Sequence, residues 1–200
     1  IIEYEYPGLL NFDCEAMIHL NNHIYVFTKS NFTNPSDELT HCYKIPDVPH
    51  PMGLKYQAEL VGSFMTKLAG DTNTGNYRVA GADISPNKNV LALNTYSRIW
   101  VFSCFEDDDF FNGSVQYFDM NPLRQYEGLC FVNNHELVMS KEGSAADPNY
   151  NPRLYHLNIA PYIDDACLDC NKVRNPNFSK SNEAWSIFNF GTASGVLFTT

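Results

Sequence analysis

The chain is short of three things: long apolar runs, positive charge and complete catalytic signatures. No stretch of about 18 apolar residues occurs, which excludes a helix that crosses a membrane. Lys and Arg total 13 against 23 Asp and Glu, giving a net charge of −10 and a pI of about 4.9. A chain so charged repels phosphate backbones, so nucleic acid is not an expected partner. Cations, basic proteins and neutral glycans stay open, and solubility alone also accounts for the charge. No His-x-His or His-Glu-x-x-His spacing is present, which argues against zinc hydrolysis. There is no Gly-x-Ser-x-Gly elbow for an α/β-hydrolase and no glycine-rich phosphate loop. Amphipathic helical periodicity is missing throughout. His23 and His135 fall in matched turns and are expected to face solvent, while His19, His41, His50 and His156 stand alone. The chain opens at Ile1 without Met or a leader pattern, and Ile1 to Tyr6 reads as a strand. The expectation is a chain that begins after processing or belongs to something longer.

What is present points to a β protein with a real core. Hydrophobic residues make up 44%, ordinary for a globular protein of one or two domains, and 12 Tyr and 14 Phe sit largely in short β-like runs. Six cysteines occur, at Cys14, Cys42, Cys104, Cys130, Cys167 and Cys170. All six are disulfide candidates. Their number is even, but the sequence cannot choose among the pairings. Cys167-Leu-Asp-Cys170 has no second close Cys pair to complete a zinc ribbon. Asn-x-Ser/Thr sequons at Asn31, Asn112 and Asn177 lie in stretches read as loops or linkers and are candidate glycosylation sites. Sequons and even cysteines together favour a secreted or extracellular protein.

The strongest signal is an internal repeat. Glu15-Ala-Met-Ile-His-Leu-Asn-Asn-His-Ile-Tyr-Val-Phe-Thr-Lys29 returns as Glu127-Gly-Leu-Cys-Phe-Val-Asn-Asn-His-Glu-Leu-Val-Met-Ser-Lys141, an offset of 127 − 15 = 112. Glu, Asn-Asn-His, Val and Lys recur in place. A repeat of this size is one supersecondary unit used more than once, and each copy reads as strand, tight turn, strand. Strand signals at 16–20, 24–28, 41–45 and 57–64 make a first four-stranded unit. Those at 79–85, 90–95, 99–105 and 115–120 make a second. Those at 127–132, 137–140 and 153–159 make a third, its fourth strand unassigned. The fold class expected is all-β: a β-propeller, or part of one, of four-stranded antiparallel blades over residues 1–163. Residues 164–200 are expected to hold a linker and a C-terminal β-hairpin or ring-closing tail. Three units are fewer than the about four to eight blades of a closed propeller.

Three motifs carry a resemblance. Asp13-Cys-Glu15-Ala with Ile24-Tyr-Val-Phe-Thr-Lys29, Val79-Ala-Gly-Ala-Asp83-Ile-Ser-Pro, and Gln125-Tyr-Glu127-Gly-Leu with Met139-Ser-Lys-Glu142-Gly resemble, in order, the blade motifs of a family of secreted, mostly uncharacterised β-propeller proteins. They cover roughly Tyr4 to Ile159. The family's Asp-Gly turn is Asn87-Lys88 here, and the sequons, cysteines and tail lie outside its pattern. The resemblance implies a propeller, and further blades ahead of the first motif. It implies little about function.

In such a fold the first strand of each blade lines a central channel, which would bring Asp13, Glu15, Asp83 and Glu127 toward one axis. Crowded carboxylates need a neutralising partner, and calcium suits them. Alternatively each acid bonds backbone N–H groups of the adjoining blade or pairs with Lys29, Lys141 or Arg78. Lys29 and Lys141 themselves read as inter-blade ion-pair partners. The acidic run in Phe105-Glu-Asp-Asp-Asp-Phe-Phe111 reads as a solvated loop. The function expected is an extracellular, glycosylated, non-catalytic binding or structural module, one that could belong to a larger surface or fibrous assembly. Its partners would be proteins or glycans, and its C-terminal strands could pair with a neighbour. The alternative is a calcium-dependent phytase-like or lactonase-like propeller hydrolase.

Overall fold

The structure, a computed structural model, describes residues 1–8, 10–31, 34, 37–51, 53–120, 125–143, 152–164, 185–190 and 193–198. The chain forms two compact units, Ile1–Asp164 and Asp165–Thr200. In the first, a short strand β1 (Tyr4–Glu5) precedes β2 (Phe12–Leu20), β3 (His23–Asn31), β4 (Leu39–Pro46), β5 (Tyr56–Gln57) and β6 (Glu59–Met65). Then come β7 (Val79–Ile84), β8 (Val90–Thr95), β9 (Arg98–Ser103) and β10 (Ser114–Asp119), followed by β11 (Tyr126–Asn133), β12 (Glu136–Lys141) and β13 (Arg153–Asn158). Helical structure among the described residues is limited to 3-10 turns at Thr74–Asn76, Phe110–Asn112 and Ala160–Tyr162.

The sheets are antiparallel meanders in chain order. Blade 1 is β2-β3-β4-β6, blade 2 is β7-β8-β9-β10, and blade 3 is β11-β12-β13. The innermost strand of blade 2, β7, lies beside both β2 and β11. First strands placed side by side, with later strands stepping outward, give the layout of successive β-propeller blades. The strand of the N-terminal segment is shorter than its sequence suggests: only Tyr4–Glu5 pairs, in parallel with β5. In the second unit, β14 (Trp185–Phe190) and β15 (Ala193–Phe198) form an antiparallel hairpin.

Burial follows the stacking. Blade 1 sends Ile18, Leu20, Tyr25 and Phe27 into one cluster with Leu91, Leu93, Trp100 and Phe102 of blade 2. Each such side chain contributes about 1.5–3 kcal/mol through area removed from water. Every residue of β8 and β9 is buried, because blade 2 is covered on both faces. Their near-continuous apolar runs reflect that two-sided cover. In β2 the pattern alternates after Ala16, and Met17 is 65% exposed. On the opposite face of blade 1, Ile2, Tyr4 and Tyr6 of the N-terminal segment pack on Phe12, Val26, Tyr43 and Ile45.

The cysteine expectation needs correction. Cys14, Cys42 and Cys130 are free thiols. Cys14 on β2 and Cys42 on β4 have β3 between them. Two inter-strand steps of about 4.8 Å exceed the about 7 Å Cα separation that a disulfide spans. Cys14 Sγ instead donates to Phe27 O at 3.4 Å, and Cys42 is fully buried. Cys130 is exposed on β11. Cys104 is disulfide-bonded, while Cys167 and Cys170 lie outside the described residues.

Candidate functional site on the inner strands

Each first strand carries a register break near its start. It falls between Cys14 and Ala16 in β2, between Val79 and Gly81 in β7, and between Tyr126 and Leu129 in β11. A bulge re-aims side chains at the strand it interrupts. Glu15 and Glu127 occupy this bulge, and the equivalent residue of blade 2 is Ala80. Asp83 lies three residues further along β7 and has a different job. Its carboxylate accepts the Phe131 N–H of β11 at 2.6 Å and the Ile84 N–H at 2.9 Å. The acid of blade 2 therefore bonds the backbone of blade 3.

Lys29 Nζ donates to Glu15 Oε1 at 2.5 Å and to Tyr96 Oη at 2.7 Å. The expected inter-blade ion pair is thus an intra-blade one, from β3 to β2, because antiparallel pairing places the end of β3 beside the start of β2. The link to blade 2 runs through the Tyr96 hydroxyl instead. Lys29 is 11% exposed at its side chain. Burial works against its charge, but the bonds to Glu15 and Tyr96 outweigh burial and hold the ammonium above the usual lysine range. Glu127 shifts upward as well: first through burial, then through the like charges of Glu142 and Glu15, with Lys29 opposing. A small electrostatic neighbourhood of Glu15, Lys29, Tyr96, Glu127 and Glu142 results.

This is not the four-acid convergence that the sequence suggests. Among the described residues no three His, Cys, Asp or Glu side chains are grouped to hold a metal ion. Asp83 is engaged with the Phe131 N–H and Glu15 is paired with Lys29, while Glu127 feels the charge of Glu15.

Further contacts seat blade 2 against its neighbours. Asn94 Nδ2 donates to Tyr126 O at 2.8 Å. A Cβ at Gly81 would lie 2.4 Å from Asn94 Oδ1 and 2.8 Å from Glu127 O, so the position tolerates only glycine. Among the described residues Asn94 Oδ1 has no hydrogen-bond donor; it occupies the space that a side chain at position 81 would need. At the turns, Lys88 Nζ donates to Asn21 Oδ1 and the Asn87 N–H donates to Asn134 Oδ1, both at 3.0 Å.

Sequence reasoning misses a second polar centre. Arg98 donates to Asp119 Oδ1 at 2.8 Å and to Asp71 Oδ2 at 2.9 Å, with Arg98 and Asp71 side chains only 6% and 9% exposed. Burial would raise the Asp71 carboxyl, but Arg98 and the Leu68 N–H outweigh it and hold it low. Only the Ser97-Arg98 turn after β8 could have hinted at this, since its partners lie 27 and 21 residues away. Of the sequon residues, Asn112 is exposed on its 3-10 turn and donates to Asp109. Asn31 closes β3, and Asn177 lies outside the described residues.

No protein-family model matches the chain, and no curated protein matches it in sequence. Similar solved structures include aldose sugar dehydrogenase from Streptomyces coelicolor, at 9% identity and TM-score 0.47, covering 72% of this chain and 42% of that one. Sqt1 from Saccharomyces cerevisiae follows at 8% identity and TM-score 0.45, covering 81% and 36%. The β-propeller domain of Cps50 (Swd1) from Myceliophteria thermophila matches at 10% identity and TM-score 0.38, covering 73% and 54%. The chain thus spans between 36% and 54% of the length of these three structures.

Proposed function

We propose that the chain is part of an extracellular, glycosylated β-propeller that serves as a binding or structural module for protein or glycan partners. The observation that carries this reading is the use of the inner-strand acid Asp83. It bonds Phe131 N–H of the next blade, so this inner-strand acid is engaged in blade assembly. Lys29–Tyr96 and Asn94–Tyr126 act the same way. The exposed position of Asn112 on a surface turn supports an attached glycan. Mass measurement of the native material before and after enzymatic deglycosylation tests the reading. Asn112→Gln should remove one glycan mass and leave melting unchanged. Native material free of glycan would end the extracellular assignment. Phosphatase or esterase turnover abolished both by chelator and by Glu127→Gln would replace the binding module with a calcium-dependent hydrolase.

A further inference from the structure

The outer half of blade 1 holds an arrangement unrelated to the inner strands. Across the β4–β6 pair, His41 stands directly opposite Ser63, and opposed residues of an antiparallel pair share one face. Ser63 Oγ and His41 Nδ1 are 2.7 Å apart, and His41 Nε2 and Asp37 Oδ2 are 2.9 Å apart. The other Asp37 oxygen accepts the Leu39 N–H at 3.2 Å, which fixes the carboxylate on the segment entering β4. The imidazole lies 5.1 Å from the Phe12 ring and 6.2 Å from Tyr43. Both side chains of the His41–Asp37 pair are largely covered, at 12% and 16% exposure, whereas Ser63 is exposed.

The hydrogen bonds set the polarity of the chain of groups. A carboxylate only accepts, so Nε2 of the neutral ring carries the hydrogen and donates to Asp37. Nδ1 is then left with a lone pair, and Ser63 O–H donates to it. A nucleophile hydrogen-bonded to a base, the base oriented by a third group, is the arrangement that activates a serine. Relative to the serine-hydrolase template the two ring nitrogens exchange places, with the roles preserved.

We propose that Ser63 is an activated nucleophile that hydrolyses small activated esters, with His41 as general base and Asp37 as its positioning residue. This goes beyond the binding role and does not depend on it. In the first step Ser63 Oγ bonds the acyl carbon and the ester C–O bond breaks. The serine proton passes to His41 Nδ1 and on to the departing alcohol. In the second, water bonds the acyl carbon with His41 taking its proton, the Oγ–acyl bond breaks, and the proton returns to Oγ. Ester and water become acid and alcohol. Among the described residues β6 is the edge strand of its sheet, so its outward N–H groups carry no ladder bonds there and can meet the oxyanion. Tyr6 stands 5.0 Å from Phe12 and 4.9 Å from Tyr43. This aromatic wall favours aryl or short acyl esters.

A fluorophosphonate probe on the folded chain, with peptide mapping, is the direct test: Oγ–P forms and fluoride leaves. One equivalent bound at Ser63 is expected, together with a burst on p-nitrophenyl acetate that Ser63→Ala abolishes. His41→Gln should slow labelling by about 100-fold. Asp37→Asn should lower kcat by at least about tenfold with KM unchanged. No adduct at Ser63, or equally fast labelling of His41→Gln, overturns the proposal. A raised KM at constant kcat in Asp37→Asn removes Asp37 from it. Mapping on the unsubstituted chain decides the matter even where a variant fails to fold.

Discussion

The two copies of the repeat share Asn-Asn-His and still turn differently. In the first, Leu20 pairs with His23, and Asn21 and Asn22 form the loop at φ of 48° and 61°. In the second, Asn133 pairs with Glu136, so the loop slides by one residue to Asn134-His135, and neither has positive φ. A register shift between Phe131 and Asn133 absorbs the slide. The residue after His decides the outcome. Ile24 must reach the apolar face formed with Val26 and Tyr43, whereas Glu136 is polar and accepts from Asn133 Nδ2 at 2.5 Å. Asn133 Oδ1 then accepts the His135 N–H at 2.9 Å, a local Asx turn. Identical residues at identical offsets specify a hairpin, while the neighbours choose its register.

The largest effect should come from Gly81→Ala. The new methyl meets Asn94 Oδ1 and Glu127 O at once, so a loss of about 3 kcal/mol is expected from chemical denaturation. It would separate the second copy from blade 2 and leave the first copy in place. A loss near 0.5 kcal/mol would mean the close approach is absent. Asp83→Ala comes next, at about 2 kcal/mol, because the partly buried bond to Phe131 N–H is lost. Hydrogen exchange should accelerate at Phe131 and stay unchanged at His19, its equivalent in the first copy.

Glu127→Gln sharpens the contrast between the two bulge acids. The Glu127 carboxyl is raised in the fold by burial and by Glu142 and Glu15. A raised acid binds its proton more tightly in the folded state, so its stability contribution is present at low pH. It is lost as pH rises from the ordinary glutamate range through the raised value. The glutamine variant should therefore melt higher than the parent at neutral pH, with the gain vanishing in acid. Glu15→Gln, which gives up the Lys29 pair, should show no such gain. The smallest effects are at the turns. Asn22→Gly should stabilise by about 0.5 kcal/mol by relieving a left-handed asparagine. Asn134→Gly should destabilise by about 1 kcal/mol, since it drops the Asn87 bond. Changes of the same sign at both turns would refute the one-residue slide.

Much of the blade architecture was legible, because alternation and turn residues report local geometry. The strands of blades 1 and 2 lie close to where short apolar or alternating runs bounded by turn residues put them. What escaped is whatever depends on register between distant strands. Asp83 reads like Glu15 and Glu127 in sequence, yet its partner lies 48 residues away on another blade. Three of the six cysteines are unpaired because an even count says nothing about intervening strands. His41 reads as solitary. Its Ser63 partner is 22 residues away and becomes visible only through the β4–β6 register.

The three unpaired cysteines span the full range of accessibility, and that gradation makes the molecule its own stopwatch. Cys130 stands in solvent, Cys14 is half-covered, and Cys42 is sealed inside the first sheet with its thiol pushed well above the ordinary range by burial. An alkylating reagent should consume Cys130 at once, Cys14 later, and Cys42 only during excursions in which the first sheet parts from its neighbour. The lag before the third adduct would then read out how often that parting happens, with no probe introduced.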